Sequence, residues 1–241
     1  MKRSSGRVVA AIVFGLALAG TASCKREEPS PGAPASASTV ATATRPRAKA
    51  YSNPPEQEVG TLPAGVGLTV GGAAPDATLL DANGQRVNLR ELASHGALLL
   101  VFYRGGWCPF CNFQIHELTT AFPEFQRRGV TPVAISVDRV EETAKTRATY
   151  AIPFPVLSDQ DLLAHRAFRV VRHVDDAELS RLNGMGLDLE AASGRDHHMI
   201  AIPAIFILDQ AGVIRWAHAN VDYKVRPSAE QLLQAIDQVL R

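Results

Sequence analysis

The stretch that most constrains this chain is residues 97–103, Ala-Leu-Leu-Leu-Val-Phe-Tyr, which runs through Arg104-Gly105-Gly106 into Trp107-Cys108-Pro109-Phe110-Cys111. A nearly continuous apolar run of this length, ended by glycines, predicts a strand covered on both faces. Pro109 suits the first turn of a helix, where its missing N–H has no intrahelical partner. A helix is predicted over residues 109–128, with Ile115, Leu118, Phe122 and Phe125 on one face. The two cysteines therefore sit where a buried strand gives way to a helix. Free N–H groups and the positive dipole end favour a thiolate there, so the exposed member of the pair is expected to ionise near neutral pH, helped by Arg104. The spacing lets the sulfurs meet across one helical turn and resolve each other's mixed disulfides.

The rest of the chain alternates short apolar runs with amphipathic stretches. Residues 77–80 and 86–89 read as a hairpin across Asn83-Gly84. Further segments are a strand at 131–137, a helix at 140–150, an extended piece at 154–157, helical turns at 162–168 and a hairpin of 205–208 with 213–217. Ser228 reads as the N-cap of a last helix that turns Leu232, Leu233, Ile236 and Leu240 inward. Between 169 and 200 the period is lost, which marks an insertion. The pattern predicts an α/β domain over residues 66–241, a central mixed sheet flanked by helices. A length of 241 residues suits one good core, and a net charge of +1 gives no basic stripe for nucleic acid. Small molecules and proteins are the expected partners.

The N-terminus carries Lys2, Arg3 and Arg7 before an apolar run over 8–19, short for a bilayer span and right for a secretory signal. Thr21-Ala22-Ser23-Cys24 resembles the lipobox of bacterial lipoproteins, with Thr21 where an aliphatic residue is usual, and this implies lipidation of Cys24. Residues 25–65 are rich in Pro, Ala, Ser and Thr and read as a disordered tether. The division is thus 1–24 leader, 25–65 tether and 66–241 domain. An exported protein, periplasmic or held at the membrane, is expected.

By itself a C-x-x-C motif admits other readings. A structural zinc site needs two more ligands at matching spacing, and His116 is the only histidine nearby. A purely structural disulfide between residues three apart constrains the unfolded chain little. The wider context is more specific. Residues 100–111, Leu-Val-Phe-Tyr-Arg-Gly-Gly-Trp-Cys-Pro-Phe-Cys, closely resemble the active-site segment of peroxiredoxin-like proteins of the alkyl hydroperoxide reductase/thiol-specific antioxidant (AhpC/TSA) family. Ala134-Ile135-Ser136-Val137-Asp138 is similar to that family's second core strand. Ile202-Pro203-Ala204-Ile205-Phe206-Ile207-Leu208-Asp209 is similar to its cis-proline loop and following strand, and Asp222-Tyr223 also matches. The resemblance implies the thioredoxin fold, chemistry at Cys108 and Cys111, a cis bond at Pro203 beside them, and no cofactor.

Departures from the family pattern matter. Its peroxidatic cysteine falls at Cys111, its threonine at Cys108 and its activating arginine at Pro203, so both side chains that organise peroxide are replaced. The buried acid of thioredoxin has no counterpart, since Val101 precedes Phe102. Gln114, one turn beyond Cys111, can hydrogen-bond near the thiols. Trp107 is expected to cover the disulfide and form part of a docking surface. Tyr223, Lys224 and Arg226 read as a solvated loop.

These readings imply a thiol–disulfide oxidoreductase acting on protein disulfides, low-molecular thiols or peroxides and served by a thiol electron donor. In disulfide exchange Cys108 attacks and Cys111 resolves; with peroxide, Cys111 becomes the sulfenic acid and Cys108 resolves it. The competing class is a copper-binding chaperone in which His197 or His198 joins the cysteines, as in membrane-anchored copper chaperones of this fold, whose layout this chain resembles.

Overall fold

The computed structural model describes residues 50–240; the leader, Cys24 and the first part of the tether lie outside them. Its elements in chain order begin with β1 (Thr78–Asp81), β2 (Arg86–Asn88), α1 (Leu89–Ser94), β3 (Ala97–Phe102), α2 (Pro109–Thr120), α3 (Phe122–Arg127), β4 (Val130–Ser136), α4 (Val140–Thr149) and β5 (Val156–Ser158). They continue with α5 (Leu163–Ala167), β6 (Val171–His173), α6 (Asp176–Gly184), α7 (Leu189–Ser193), β7 (Met199–Ala201), β8 (Ala204–Leu208), β9 (Ile214–Ala219) and α8 (Ala229–Val239). The main sheet has the order β2-β1-β5-β4-β3-β8-β9. At its centre β3 runs parallel to β4 and antiparallel to β8, which makes the sheet mixed as expected.

The unbroken apolar run of β3 is explained by the two faces of this sheet. Leu98, Leu100 and Phe102 point to one side, where they meet Val133, Ile135, Phe168 and Phe206. Leu99 and Val101 point to the other and meet Ile115, Leu118, Phe125, Leu232 and Ile236 from α2, α3 and α8. Successive side chains on a strand alternate, so a strand buried on both faces has no polar position to spare. The Asn83-Gly84 turn is held by Asp81, whose carboxylate accepts from the N–H groups of Asn83 and Gln85. Ser228 caps α8 through a reciprocal capping box with Gln231. Among the described residues no helix is long and apolar enough to cross a membrane.

Three features differ from the expectations. The helix over 109–128 is two helices that meet at Ala121, because Pro123 has no N–H to continue the ladder and its ring crowds the preceding turn. The insertion at 169–200 is folded: β6 pairs antiparallel with β7, and the side chains of Asp175 and Asp188 cap α6 and α7. Its elements are too short to leave a period in the sequence. The third concerns residues 51–65, read from composition as tether, which are laid onto the domain. Ser52 N donates to Lys224 O, Ala219 N donates to Thr61 O, Pro54 is buried, and Leu62 packs against the core. Backbone contacts to neighbouring chain, rather than an amphipathic period, hold this segment, so its composition carried no signal.

The loop between β3 and α2 depends on its glycines. Gly105 has φ +148°, and a Cβ there would fall onto the indole of Trp107. A Cβ at Gly106 would fall onto Thr146 Oγ1 in α4, while the Gly106 N–H donates to Asp138 Oδ2 at 2.7 Å and its carbonyl accepts from Asn112 Nδ2 at 2.8 Å. Gly106→Ala is therefore expected to destabilise the fold by about 1–3 kcal/mol, the usual cost of overpacking, seen as a lower urea midpoint at unchanged m.

Candidate active site

Cys108 is the N-cap of α2 and Cys111 lies in its first turn, with Pro109 at the first helical position. Both are free thiols, within hydrogen-bonding reach of each other. Contrary to the expectation of one exposed sulfur, both residues are buried, at 1% and 0% relative exposure. The first turn of α2 packs against β3 and β8 on the same face as the α8 cluster, and this covers the pair.

The residue that shapes the site was read from sequence as part of a solvated loop. Arg226, just before α8, is 1% exposed. Its Nη2 donates to Cys111 Sγ at 3.2 Å, its Nη1 to Gln114 Oε1 at 2.9 Å, and its Nε to Tyr223 O at 2.9 Å. Among the described residues no carboxylate forms an ion pair with it. A buried guanidinium without a carboxylate partner requires another anion. The Cys111 thiolate is the group placed to be that anion. Gln114 links the same parts from the other side, its Nε2 donating to Pro227 O at 3.3 Å.

The two thiols are driven apart in acidity. Burial alone would raise Cys111, but the hydrogen bond from Cys108, the Arg226 guanidinium, and the backbone N–H and charge of Arg104 outweigh it and lower the thiol to about 6. Cys108 is raised well above the ordinary thiol range, first by burial and then by the hydrogen bond to Cys111 and its charge. This ordering favours Cys111 as the thiolate, the role expected of it with peroxide, over Cys108, the thiol expected to attack in disulfide exchange. The hydrogen bond from Cys108 lowers Cys111 most, and Arg226, which reaches it from a loop more than a hundred residues away in sequence, comes next.

Arg104 is buried, with its guanidinium 4.1 Å from the Tyr223 ring centre and 5.0 Å from that of Trp107. It pairs with Glu178 of α6 at 3.1 Å, and Glu178 is also gripped by Arg172 through two bonds of 2.8 Å. These hydrogen bonds from Arg172, together with its charge and that of Arg104, hold the Glu178 carboxyl below its ordinary range against the effect of burial. Trp107 is half-buried and packs with Leu179 and Leu187 on the small core of the insertion. The insertion thus closes over the loop that carries the cysteines.

A buried acid, absent at the position before Phe102, is supplied at the end of β4. Burial raises the Asp138 carboxyl to about 7, assisted by the negative charges of Glu142 and Cys111 and opposed by hydrogen bonds from Gly106 and Ser136. Its position in Ala-Ile-Ser-Val-Asp was visible in the sequence, but its proximity to the cysteines required the sheet.

Two expectations fail here. The peptide bond at Pro203 is trans, as no cis bond occurs among the described residues. Ile202 N donates to Val170 O at 2.8 Å and Pro203 O accepts from Asn220 N at 3.2 Å, so this link is pinned between the insertion and the end of β9. Pro203 nonetheless lines the small cavity behind Arg226 and Gln114. The histidines do not join the cysteines: His197 Nε2 lies 3.1 Å from Gln160 O and His198 Nε2 lies 2.7 Å from Glu190. Among the described residues no three His, Cys, Asp or Glu side chains are grouped to hold a metal ion, so the copper reading has no ligand set.

Comparison with known proteins agrees with this geometry. The AhpC/TSA family profile matches residues 70–217. Alkyl hydroperoxide reductase E of Mycobacterium tuberculosis is 32% identical over 160 residues, covering 66% of this chain and 90% of that protein. The putative peroxiredoxin bcp of Helicobacter pylori is 26% identical over 169 residues, 70% of this chain and 98% of that one. The crystal structure of peroxidoxin BcpB from Mycobacterium tuberculosis superposes with a TM-score of 0.56 at 20% identity, covering 70% of this chain and 97% of that one. Its likeness carries the fold. With the fold, a buried dithiol at the start of a helix and this family match in hand, the chain belongs to the AhpC/TSA family and is a thiol–disulfide oxidoreductase with the thioredoxin-like fold.

Proposed function

We propose that the protein is a thiol peroxidase in which Cys111 attacks the peroxide and Cys108 resolves the product. The observation that carries this is the Arg226 guanidinium on Cys111 Sγ, 3.2 Å away and without a competing carboxylate. The Cys111 thiolate attacks one peroxide oxygen, forming an S–O bond as the O–O bond breaks, and the departing oxygen takes a proton to leave as alcohol or water. Arg226 is placed to stabilise charge on the sulfur and the leaving oxygen. The Cys108 sulfur, already in contact, then attacks the Cys111 sulfenic acid; its own proton and the hydroxyl leave as water and a Cys108–Cys111 disulfide remains. Two electrons from an external thiol donor restore the dithiol. Arg226 supplies a guanidinium beside the sulfur although Pro203 falls where the family has its arginine, and the family's threonine remains replaced by Cys108.

The leader features Lys2, Arg3 and Arg7, the apolar run after them and the lipobox-like Cys24 support export and attachment to a membrane by a lipid on that cysteine. Peroxides and thiols outside the cytoplasm are then the substrates.

Trapping with a sulfenic-acid reagent during a short exposure to hydrogen peroxide, followed by peptide mapping, tests the assignment. The label is expected on Cys111, with a formation rate that rises with pH through about 6 and then levels. Label confined to Cys108 would overturn it.

A further inference from the structure

We infer that Tyr51 and Ser52 are positioning residues for Cys111, forming a strap that holds Arg226 against its sulfur; this rests on the role proposed for Arg226. Arg226 arrives on a loop and Cys111 on a helix, so their contact depends on how the loop is docked to the helix. Ser52 grips the loop by its backbone. Ser52 N donates to Lys224 O at 2.8 Å and Ser52 O accepts from Arg226 N at 2.9 Å, which brackets Val225 in a parallel bridge. Tyr51 grips the helix. Its ring meets Phe113 edge-on with centres 5.5 Å apart, its hydroxyl donates to Glu117 Oε2, and the same hydroxyl lies 3.4 Å from Pro227 O.

Phe113 and Glu117 are one turn apart on α2, the helix that also presents Cys111 and Gln114. Two consecutive residues therefore join the carrier of the cation to the carrier of the sulfur. Pro54 O accepts from Gln231 Nε2 at 3.3 Å, which fixes the far end of the strap to α8. Gln114 adds a further polar link among these parts, through Arg226 and Pro227. Electrostatic stabilisation of a thiolate falls as its cation retreats and water enters between them. Loosening the strap should therefore be read out at Cys111, not only in stability.

The test uses the full chain carrying Cys24→Ser and Cys108→Ser, which leaves Cys111 as its only thiol. The pH midpoint of thiolate absorbance is measured in that background and with Tyr51→Ala, Tyr51→Phe, Ser52→Pro and Arg226→Gln added. Tyr51 is partly exposed and Ser52 exposed, so these changes spare the core, and Ser52→Pro removes the N–H link to Lys224 and restricts the backbone of Tyr51. Tyr51→Ala and Ser52→Pro are expected to raise the midpoint by roughly half to one pH unit, less than Arg226→Gln, with Tyr51→Phe between Tyr51→Ala and the parent. Combined with Arg226→Gln, Tyr51→Ala should add no further rise, since both act through one cation. A midpoint unmoved by Tyr51→Ala and Ser52→Pro while Arg226→Gln shifts it would overturn the inference, as would full additivity of Tyr51→Ala with Arg226→Gln. If Arg226→Gln itself leaves the midpoint in place, the peroxidase reading of Arg226 falls and the strap falls with it.

Discussion

Replacing Arg226 with glutamine is expected to return the Cys111 thiol from about 6 toward its ordinary range near 9 and to slow its oxidation by hydrogen peroxide at neutral pH by roughly a hundred- to a thousandfold. Glutamine keeps hydrogen-bonding capacity and comparable length but carries no charge. A full return to the ordinary range would lower the thiolate population at pH 7 by about ninetyfold. The remainder reflects the missing cation as charge moves onto the leaving oxygen, commonly worth another factor of about ten or more. Stopped-flow rates across pH separate the two parts. If thiolate population were the whole effect, the variant would match the wild type at high pH; with transition-state stabilisation included, its plateau stays lower.

The same substitution should change the pH dependence of stability in the reduced protein. The Cys111 thiol is lower in the folded chain than in the unfolded one, so between about 6 and 9 only the unfolded state holds its proton. Stability from this group is present in full above that window and is lost as pH falls through about 6. Asp138 has the opposite sign. Its carboxyl rises from 3.8 to about 7 in the fold, so the folded state keeps a proton that the unfolded state has released, and stability falls as pH rises across that interval. The gap in unfolding free energy between the wild type and Arg226→Gln should thus widen as pH rises from about 6 toward 9, as measured by urea unfolding across pH.

The second large effect concerns the cysteines. Cys111→Ser is expected to lower the rate of peroxide consumption by at least about a thousandfold, since an unactivated hydroxyl is no substitute for a thiolate. Cys108→Ser should instead give one fast turnover per chain, leave a sulfenic acid, and then stop with an exchangeable donor absent. Cys108→Ser should cost little stability, as a bridge across so short a loop restricts the unfolded chain little, whereas Cys111→Ser leaves the buried Arg226 guanidinium without its anion and should be clearly less stable. Mass spectrometry after a single equivalent of peroxide distinguishes the variants. Retention of the burst in Cys111→Ser and its loss in Cys108→Ser would exchange the roles.

What could be read in advance follows the range of the interactions. The two-faced strand β3, Pro109 at the helix start and the Ser228 cap are local patterns, and each is where its residues placed it. The position of the dithiol was equally legible. Its polarity was not, because Arg226 and Cys111 are joined only through the packing of α8 and its preceding loop against α2, and Lys-Val-Arg-Pro is indistinguishable in sequence from a solvated turn. The bond from Gly106 N–H to Asp138 is hidden in the sequence for the same reason. The trans bond at Pro203 shows the limit of carrying a family feature by alignment: hydrogen bonds to Val170 and Asn220 set that link here.

The contact between the two thiols also decides how the protein fails. Once Cys111 carries oxygen, closure onto Cys108 is a unimolecular event, whereas further oxidation to the sulfinic acid needs a second peroxide molecule and proceeds in proportion to its concentration. The outcome is a race with a threshold, the peroxide level at which the two rates match. Because the competing sulfur sits in the same helical turn, that threshold is a property of the single chain. On the proposed roles, the threshold is set within one chain and does not depend on contact with a second copy.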